Sequence, residues 1–460
     1  MNTSSEHTAP PPPRPMHDTR AARRAGVTAF VGTTIEWFDF YIYGTASALV
    51  LGALFFPDAS PAVGTLAAFA TFAVGFIARP LGGIIFGHFG DRFGRKNAVI
   101  ITLALMGAGT VGVGLLPTYD QIGIWAPILL VALRVLQGIA MGGEWGGAVL
   151  IATEFAPPGK KVLYGAFAQQ GSPVGNLLAT LSFLGLTAMS DATFEDWGWR
   201  IPFLASAVLV IVALYIRVRI QETPEMRVAA AAQERTKLPL VEVLRSHPAA
   251  LLLGVGAVVA GVAITYVKTT FALAWATTDL GFTRSDFLLV ITLALVAQVL
   301  VQPFGAVLAT RIDARRAVLW MLGPELVVLP LMFVLIRTGS LTWAIIGMVL
   351  ATAPHAMYYS ALAGILAQVF PTHVRYTGIS LSYQISTAIF AGTAPMASQF
   401  LLNRAGSIWP VVGLGIGYVL ISLICMTALL KRSPTTTEPD EPPPPPPGRR
   451  PTPPDTNGRP

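Results

Sequence analysis

Ionisable side chains inside long apolar stretches are the residues of this sequence most able to do chemistry. Each lies among apolar neighbours that would otherwise form an uninterrupted hydrophobic segment. A charged side chain at the centre of a membrane helix costs about 2.5 to 3.5 kcal/mol on insertion scales, so such residues mark binding sites or proton pathways. They are Glu36, Asp39, Arg79, Arg134, Glu144, Lys268, Glu325 and, if charged, His355.

Two of these carboxylates are spaced to take up and release a proton. Glu36 and Asp39 are three residues apart, so on a helix they share a face. Like charges in a poorly solvated place repel, and the pair would tend to share one proton. Glu144 is a third candidate for proton coupling. Alternatively, one carboxylate pairs permanently with a basic residue and only holds helices together.

Two basic residues could hold an anion. Lys268 lies in the middle of an apolar stretch, and a buried ammonium there could bind a ligand carboxylate. Arg134 could anchor a carboxylate or relay a proton. It lies ten residues before Glu144, and the corresponding helix rise of about 15 Å precludes direct contact between the two side chains. For Lys268 the alternatives are a fixed ion pair with Glu325 and a side chain that reaches water. For Arg134 the alternative is a structural charge network.

Uncharged polar residues in the same stretches could complete a binding site for an oxygen-rich ligand. Amide, imidazole and phenol groups suit the hydroxyls and carboxylates of a small metabolite. Hydrogen bonds between helices are the alternative explanation. The candidates, together with His355, are Gln169, Gln170, Asn176, Tyr358 and Tyr359.

Composition indicates the elements that must position these groups. The sequence has 53% hydrophobic and only 12% charged residues, and its mean hydropathy is +0.61, which is typical of integral membrane proteins. A membrane span needs about 20 mostly apolar residues. Twelve such stretches lie near 27–51, 62–86, 97–116, 124–150, 163–189, 200–217, 249–276, 287–309, 317–336, 342–368, 376–402 and 407–430. No metal-ligand cluster, nucleotide loop or nucleophile constellation rises above chance, so we expect neither an enzyme nor a cofactor.

Charge in the connecting segments predicts the orientation. One side of the predicted membrane carries 24 Lys and Arg residues and the other only four. Because cytoplasmic loops keep an excess of positive side chains, both termini are expected in the cytoplasm. The net charge of +7 then reflects membrane topology, and no nucleic-acid partner is needed to explain it.

The longest polar interruption, residues 220–247, divides the stretches into six plus six, which predicts two homologous halves. The expected parts are a disordered leader (1–26), an N-terminal six-helix bundle (27–219), a central cytoplasmic loop (220–247), a C-terminal six-helix bundle (248–432) and a disordered Pro-rich tail (433–460). The basic segment 309–316 takes the place in the second half that 87–96 has in the first. Thr310 stands there where Asp91 stands, so the repeat is degenerate.

A tight basic turn between the second and third stretches reads GHFGDRFGRK over residues 87–96. It resembles the G-x-x-x-D-R-x-G-R-K signature of the major facilitator superfamily. Further motifs narrow the resemblance to its metabolite:proton symporter family and cover about residues 25 to 430. These motifs lie at 32–40, 75–83, 134–138, 142–147, 222–224 and 370–378.

The resemblance implies an all-α integral membrane protein with twelve transmembrane helices in two six-helix bundles, the major facilitator fold. It implies a monomer in the plasma membrane of a bacterium that binds a small organic acid or zwitterion and protons. The expected activity is import of the substrate together with protons, by alternating access. The amino-acid sequence of the first span is most similar to the shikimate-transporter branch. A proton-coupled efflux antiporter and a non-transporting sensor with this fold are the alternatives.

The resemblance also implies a cytoplasmic gate at the basic turn. In the family, the turn's acidic residue faces a helix N-terminus and basic groups of the opposite half. His373 stands where the family usually has an acidic residue, so one gate charge is missing or depends on pH. The expected gate residues are Gly87, Asp91, Arg92, Gly94, Arg95 and Arg79, the last with substrate contact as its alternative.

Overall fold

Twelve long helices account for most of the chain in the computed structural model, which describes residues 19–93, 95–142, 161–219, 239–370 and 375–432. Each predicted stretch overlaps one of them within the described ranges. They are α1 (Thr19–Leu49), α2 (Pro61–Ile77, continued as Arg79–Phe93), α3 (Arg95–Leu115), α4 (Trp125–Met141), α5 (Lys161–Gly185), α6 (Ile201–Arg219), α7 (Pro248–Tyr266, the π-helical turn Val267–Phe271, and Ala272–Asp279), α8 (Arg284–Arg311), α9 (Ala314–Arg337), α10 (Leu341–Val369), α11 (Arg375–Ser386, the π-helical turn Thr387–Ala391, and Ala394–Ala405) and α12 (Trp409–Arg432).

Eight of the helices in the described ranges are long and apolar enough to cross a membrane. Those eight are α2 and α6 to α12. In α3 and α4 the described apolar part is shorter, and the residues that follow α4, 143–160, lie outside the described ranges. In α1 the apolar run is interrupted by Glu36 and Asp39, the same residues that suggest proton chemistry.

The helices pack as two bundles. In the first, α1 packs along α5, and α3 packs on α4 and α6. In the second, α8 and α9 pack on α10, and α7 packs on α11 and α12. The bundles meet where α5 lies against α8 and α10, where α2 lies against α11, and where α1 lies against α7. Residues on α1, α2, α5, α7, α10 and α11 can therefore form a site between the two halves.

Glycines bring α2 and α4 into backbone contact. A Cβ atom added at Gly138 would lie 2.1 Å from the carbonyl oxygen of Gly75, and one at Gly142 would lie 1.9 Å from the carbonyl oxygen of Arg79. Such close approach is typical of membrane helix interfaces, where small residues let backbones meet. This packing fixes the relative positions of Arg79 and Arg134, which these two helices carry.

The π-helical turns in α7 and α11 were not predicted from the sequence. Val267–Phe271 contains Lys268, and Thr387–Ala391 packs against α7 and α2. Turns of this kind are rare and often lie at functional sites. Both interrupt helices that line the boundary between the bundles.

Two predicted segments differ at their edges from the structure. α1 begins at Thr19, inside the predicted leader 1–26, and a short helix, Pro239–Ser246, lies inside the predicted loop 220–247. Val243 of that helix is buried against Leu251 and Val255. Its apolar side is thus anchored on α7. Residues 1–18, 220–238 and 433–460 lie outside the described ranges.

Candidate functional site

A chain of four hydrogen-bonded side chains crosses the interior of the first bundle. We call Asp39, Thr110, Gln137 and Arg134 the Asp39 array. Thr110 Oγ1 lies 3.1 Å from Asp39 Oδ2, and Gln137 Nε2 donates to the same hydroxyl at 2.8 Å. Arg134 Nη1 donates to Gln137 Oε1 at 2.9 Å. The array thus connects a buried carboxylate on α1 to a buried guanidinium on α4 through α3.

Both ends of the Asp39 array keep unused hydrogen-bonding groups. Asp39 is 1% exposed and its Oδ1 has no hydrogen-bond partner, although the Ser206 side chain is close enough to interact with the carboxylate. Arg134 is fully buried, and its Nε and Nη2 have no partner. Its guanidinium carbon lies 3.9 Å from the centre of the Tyr43 ring. A Cβ atom at Gly75 would lie 2.6 Å from its Nη2, so a glycine is needed beside it.

A second buried guanidinium, that of Arg79, lies among aromatic rings at the boundary of the bundles. Pro80 follows it, and α2 is interrupted at Ala78, as a proline inside a helix requires. The guanidinium carbon is 4.0 Å from the ring centre of Phe76 and 4.3 Å from that of Phe40. We call this guanidinium and its surroundings the Arg79 cage, made of Arg79, Trp37, Phe40, Tyr41, Phe76, Tyr266 and Tyr383.

The cage draws on both halves of the protein. Tyr266 of α7 packs its ring 5.5 Å from that of Tyr41 on α1 and 5.5 Å from that of Phe76 on α2. The hydroxyls of Tyr359 on α10 and Tyr383 on α11 lie 3.3 Å apart. Tyrosines of α1, α7 and α11 are thus close enough to interact electrostatically with Arg79, and so is Glu36.

Lys268 faces the interior of the second bundle. Its Nζ donates to Thr352 Oγ1 at 3.2 Å. Glu325 acts on Lys268 electrostatically, although the described side chains of Lys268 and Glu325 are not within ion-pair distance. Glu325 Oε1 lies 3.2 Å from His355 Nδ1, without hydrogen-bond alignment. His355 Nε2 lies 2.9 Å from Thr265 Oγ1. We call these five residues, Lys268, Thr352, Glu325, His355 and Thr265, the Lys268 cluster.

Two of the predicted binding residues on α5 bond to the opposite half. Gln170 Nε2 donates to the Val299 carbonyl at 2.8 Å, and Gln169 Nε2 lies 3.4 Å from the Tyr359 carbonyl. Asn176 is 2% exposed and its Nδ2 has no hydrogen-bond partner. The amides of Gln169 and Gln170 therefore join the halves, and that of Asn176 is free to bind a ligand.

The two predicted tyrosines of α10 have different surroundings. Tyr358 is tied into the second bundle, because its hydroxyl donates to the Ala257 carbonyl at 2.5 Å. Tyr359 lies beside Tyr383 at the boundary of the halves, and it also interacts electrostatically with Arg79. The hydroxyl of Tyr359 therefore lies at the edge of the cage, whereas that of Tyr358 bonds within the second bundle.

The gate predicted at the basic turn lies mostly outside the described part of the chain. α2 ends at Phe93 and α3 begins at Arg95, but the side chains of residues 87–99 are not described, nor is Gly94. This covers Gly87, Asp91, Arg92 and Arg95. Glu144 also lies outside the described ranges. Within those ranges no group of three or more His, Cys, Asp or Glu residues could hold a metal ion.

Side chains close the boundary at the opposite end of the bundles. Arg284, at the start of α8, forms an ion pair with Asp191, and its guanidinium carbon lies 4.1 Å from the ring centre of Phe194. Asn403 Nδ2 donates to the Ala62 carbonyl at 3.2 Å. We call the Arg284 and Asp191 pair the surface latch.

Sequence reasoning did not single out the partners that define these sites. Thr110, Trp37, Tyr41, Tyr266 and Tyr383 are common residue types in apolar helices, and nothing in their spacing distinguishes them. Gln137 could have been found, because it lies three residues after Arg134 and so on the same face of α4.

Comparison with known families matches both halves. The family model described as "Sugar (and other) transporter" matches residues 25–248, and the one described as "Major Facilitator Superfamily" matches residues 253–456.

Curated relatives match almost the whole chain. Inner membrane metabolite transport protein YhjE of Escherichia coli K12 is 40% identical over 388 residues, 83% of this chain and 88% of the relative. The shikimate transporter of the same organism is 40% identical over 421 residues, 89% of this chain and 94% of the relative. Its proline/betaine transporter is 35% identical over 395 residues, 83% of this chain and 78% of the relative.

Solved structures show the same fold at lower identity. The xylose transporter XylE of E. coli in a partially occluded inward open conformation aligns with a TM-score of 0.70 at 16% identity, covering 90% of this chain and 98% of that one. The family assignment rests on two observations. The fold consists of two six-helix bundles, and the chain is 35 to 40% identical to transporters over at least 83% of its length. The chain belongs to the major facilitator superfamily, among its metabolite transporters, and is a multi-pass membrane transporter of small molecules and not an enzyme.

Proposed function

We propose that this protein is a proton-coupled symporter that imports a small organic acid or related zwitterion by alternating access. The relatives are named for shikimate, for proline and betaine, and for metabolites in general. Shikimate, proline and betaine differ in ring, charge and hydroxyl content, but each carries a carboxylate. A carrier related to all three therefore needs a group that binds a carboxylate, and Arg79, Arg134 and Lys268 are the buried cations in the described ranges.

The single observation that carries the proton coupling is the Asp39 array. Thr110 has one hydroxyl proton and lies within hydrogen-bond distance of two acceptors, Asp39 Oδ2 at 3.1 Å and the Met106 carbonyl at 3.0 Å. With Asp39 ionised, the hydroxyl donates to the carboxylate. With Asp39 protonated, the acid donates and the hydroxyl turns to the Met106 carbonyl. One proton thus reverses the direction of the hydrogen bond between α1 and α3 and frees the Thr110 proton for the Met106 carbonyl.

Alternating access is supported by the contacts at the boundary. Polar bonds cross it through the amides of Gln169 and Gln170, from Gln384 to the Gly142 carbonyl, and at the surface latch. The latch is a single ion pair with an exposed aspartate, and such pairs contribute only about 0 to 1 kcal/mol, so breaking it costs little.

We assign the latch to the extracellular face. Loops on the opposite face carry the large majority of Lys and Arg residues, as cytoplasmic loops do. Both termini then lie in the cytoplasm, and the membrane is the bacterial plasma membrane. The residues of the basic turn, Asp91 and Arg95 among them, would form the cytoplasmic gate, with the protein working as a monomer.

Uptake into proteoliposomes tests this function. Labelled shikimate, proline, glycine betaine, 2-oxoglutarate and citrate are offered with and without an inward proton gradient, to wild type and to Asp39→Asn. We expect the gradient to drive accumulation in wild type. In Asp39→Asn we expect accumulation to be lost while exchange of labelled for unlabelled substrate continues, because the site remains but no proton is carried.

The matched control is Asp120→Asn, an exposed aspartate in the loop before α4, which should behave as wild type. Accumulation that is unaffected by the gradient would contradict symport. Gradient-driven accumulation that survives Asp39→Asn would move the coupling proton to another group, such as Glu36 or Glu144.

A further inference from the structure

Arg79 is a buried cation whose hydrogen-bond donors are largely unused. Its side chain is 2% exposed, and Nε and Nη2 have no hydrogen-bond partner. A buried donor left without an acceptor is destabilising, more so when it is charged. Residues of this kind persist where a ligand supplies the missing acceptor.

The protein surrounds Arg79 with groups that stabilise its charge and leave its N–H groups unsatisfied. The rings of Phe76, Phe40 and Trp37 lie 4.0, 4.3 and 5.7 Å from the guanidinium carbon, within the range of cation–π attraction. Aromatic carbon offers no strong acceptor. A carboxylate does, because its two oxygens match the fork of a guanidinium in a bidentate pair.

Two further donors of the cage make no well-aligned hydrogen bond. They are the Tyr266 hydroxyl and Trp37 Nε1, and both side chains are almost fully buried. The Tyr41 side chain is close enough to interact with the Tyr266 hydroxyl. Tyr266, Tyr383 and Tyr41 all lie near Arg79, as does the buried carboxylate of Glu36. A ligand with a carboxylate and further oxygen atoms would satisfy all three unused groups together.

The other buried cations in the described ranges each donate a hydrogen bond to a side chain of their own bundle. Arg134 donates to Gln137 within the Asp39 array, although its Nε and Nη2 have no partner, and Lys268 donates to Thr352 in the Lys268 cluster. Arg79 instead lies in a cage built from both halves, because the ring of Tyr266 on α7 lies against Tyr41 and Phe76 of the first bundle.

We propose that the Arg79 cage is the substrate site and that it takes a compact monocarboxylate with additional hydroxyl or ring groups. Arg79 binds the carboxylate, and Tyr266 and Trp37 donate to the remaining oxygens. Arg79 supplies one guanidinium for one carboxylate, and the buried Glu36 already adds a negative charge nearby when ionised, so each further carboxylate of a di- or tricarboxylate would bring uncompensated charge into the cage. This inference rests on the proposed function, since it names the substrate class of the same carrier.

The cage also explains how access to the site is controlled. Tyr266 belongs to the second bundle and covers the side of the cage formed by the first. When the bundles separate, Tyr266 leaves with α7 and Arg79 is exposed to water. When they close on a ligand, the hydroxyl of Tyr266 returns to it.

Binding to the purified full-length protein, without a gradient, tests the inference. The probes are shikimate, proline and glycine betaine as monocarboxylates, shikimate methyl ester as the masked acid, and citrate as the tricarboxylate. The variants are Arg79→Gln, Arg79→Lys and Tyr266→Phe. The controls are Arg404→Gln, an exposed arginine at the end of α11, and Tyr418→Phe, a buried tyrosine of α12 outside the cage.

We expect at least one monocarboxylate to bind, and the ester and citrate to bind at least about 10-fold more weakly. Arg79→Gln should weaken binding by about 10- to 100-fold, and Arg79→Lys, which keeps the charge but not the fork, by less. Tyr266→Phe gives a readout that does not depend on the folding of the arginine variants. Its hydroxyl makes no well-aligned hydrogen bond without ligand, so the variant should unfold close to the wild-type temperature, yet bind more weakly.

Several results would overturn the inference. They are equal binding of the acid and its ester, wild-type binding by Arg79→Gln, tighter binding of citrate than of every monocarboxylate, or no binding of any monocarboxylate at millimolar concentration. The proposed function fails separately. An acid that binds through Arg79 but is not accumulated by a proton gradient contradicts symport and keeps the site, whereas gradient-driven uptake by Arg79→Gln contradicts the site and keeps symport.

Discussion

Thr110 donates a hydrogen bond from Oγ1 to Oδ2 of Asp39 over 3.1 Å and so ties α3 to α1. The same hydroxyl accepts from Gln137 at 2.8 Å. The carboxylate of Asp39 and the amide of Gln137 therefore bond to one oxygen atom, and Arg134 is connected to it through Gln137. A carrier in which this oxygen is missing keeps the shape of its core but loses the connection from the carboxylate to the guanidinium.

Thr110→Val tests that connection. Valine has nearly the shape of threonine, but it leaves Asp39 Oδ2 and Gln137 Nε2 without their partner. Each buried group left unsatisfied costs about 1 to 3 kcal/mol, so the unfolding temperature should fall and gradient-driven uptake should fall with it. Thermal unfolding and proteoliposome uptake measure the two effects. Thr292→Val is the control, because that buried hydroxyl donates to the Leu288 carbonyl of its own helix. Equal behaviour of the two variants would show that the Asp39 array is not needed.

Gly75→Ala should disturb Arg134 specifically. The added Cβ atom would lie 2.6 Å from Nη2 and 3.0 Å from the guanidinium carbon, so the side chain must shift and its bond to Gln137 must weaken. Overpacking of this kind costs about 1 to 3 kcal/mol. We expect lower stability and reduced coupling of uptake to the proton gradient. In Gly413→Ala a Cβ atom meets nothing within 4 Å, so this variant should match wild type. Intact coupling in Gly75→Ala would mean that the position of Arg134 is unimportant.

A double-mutant cycle decides whether Lys268 is structural. Removing one partner of a contacting buried ion pair costs about 3 to 5 kcal/mol, because the other charge is left uncompensated. Lys268 and Glu325 act on each other without ion-pair contact, so Lys268→Met alone should destabilise the protein by less than this, and adding Glu325→Gln should recover part of the loss. We expect a coupling energy between the two positions of at least about 1 kcal/mol. Additive effects on stability, together with lost substrate binding in Lys268→Met, would instead identify this lysine as a substrate anchor.

The surface latch should weakly favour the conformation that is closed at the extracellular end, where the latch lies. Asp191→Asn removes the ion pair with Arg284 and leaves the ring contact with Phe194. Exposed ion pairs contribute about 0 to 1 kcal/mol, so the open population should rise by about 5-fold or less. Spin labels at Ser60→Cys and Arg404→Cys, in a Cys425→Ser background that removes the single native cysteine, report the distance across this end. A distance distribution that Asp191→Asn leaves unchanged would show that the latch does not control opening.

Hydropathy was sufficient to predict the helices, because a membrane span needs a long apolar run whatever it packs against. It also located every buried charge that the structure describes, since such residues stand out in apolar surroundings. Their partners could not be predicted. A helix that is apolar on all sides does not reveal which face points inward, and Thr110 is 71 residues from Asp39 in sequence.

The case of Arg79 shows the same limit. Its proximity to the basic turn in sequence suggested a place in the gate, and that role stays a prediction because the turn's side chains are not described. The ring contacts with Phe40 and Phe76 and the approach of Tyr266 became visible only in the packed helices. The π-helical turn at Lys268 likewise has no signal in the sequence, because it depends on packing at the boundary of the bundles.

Buried Lys and Arg residues equal buried Asp and Glu residues in number in the part of the chain that the structure describes: Arg79, Arg134 and Lys268 against Glu36, Asp39 and Glu325. One proton and one monocarboxylate together add no net charge, so the loaded carrier has the same net charge as the empty one. A zwitterion taken with one proton adds a positive charge, on which the membrane potential acts with about 2.3 kcal/mol per 100 mV. The same protein would be electroneutral with an acid such as shikimate and electrogenic with a betaine.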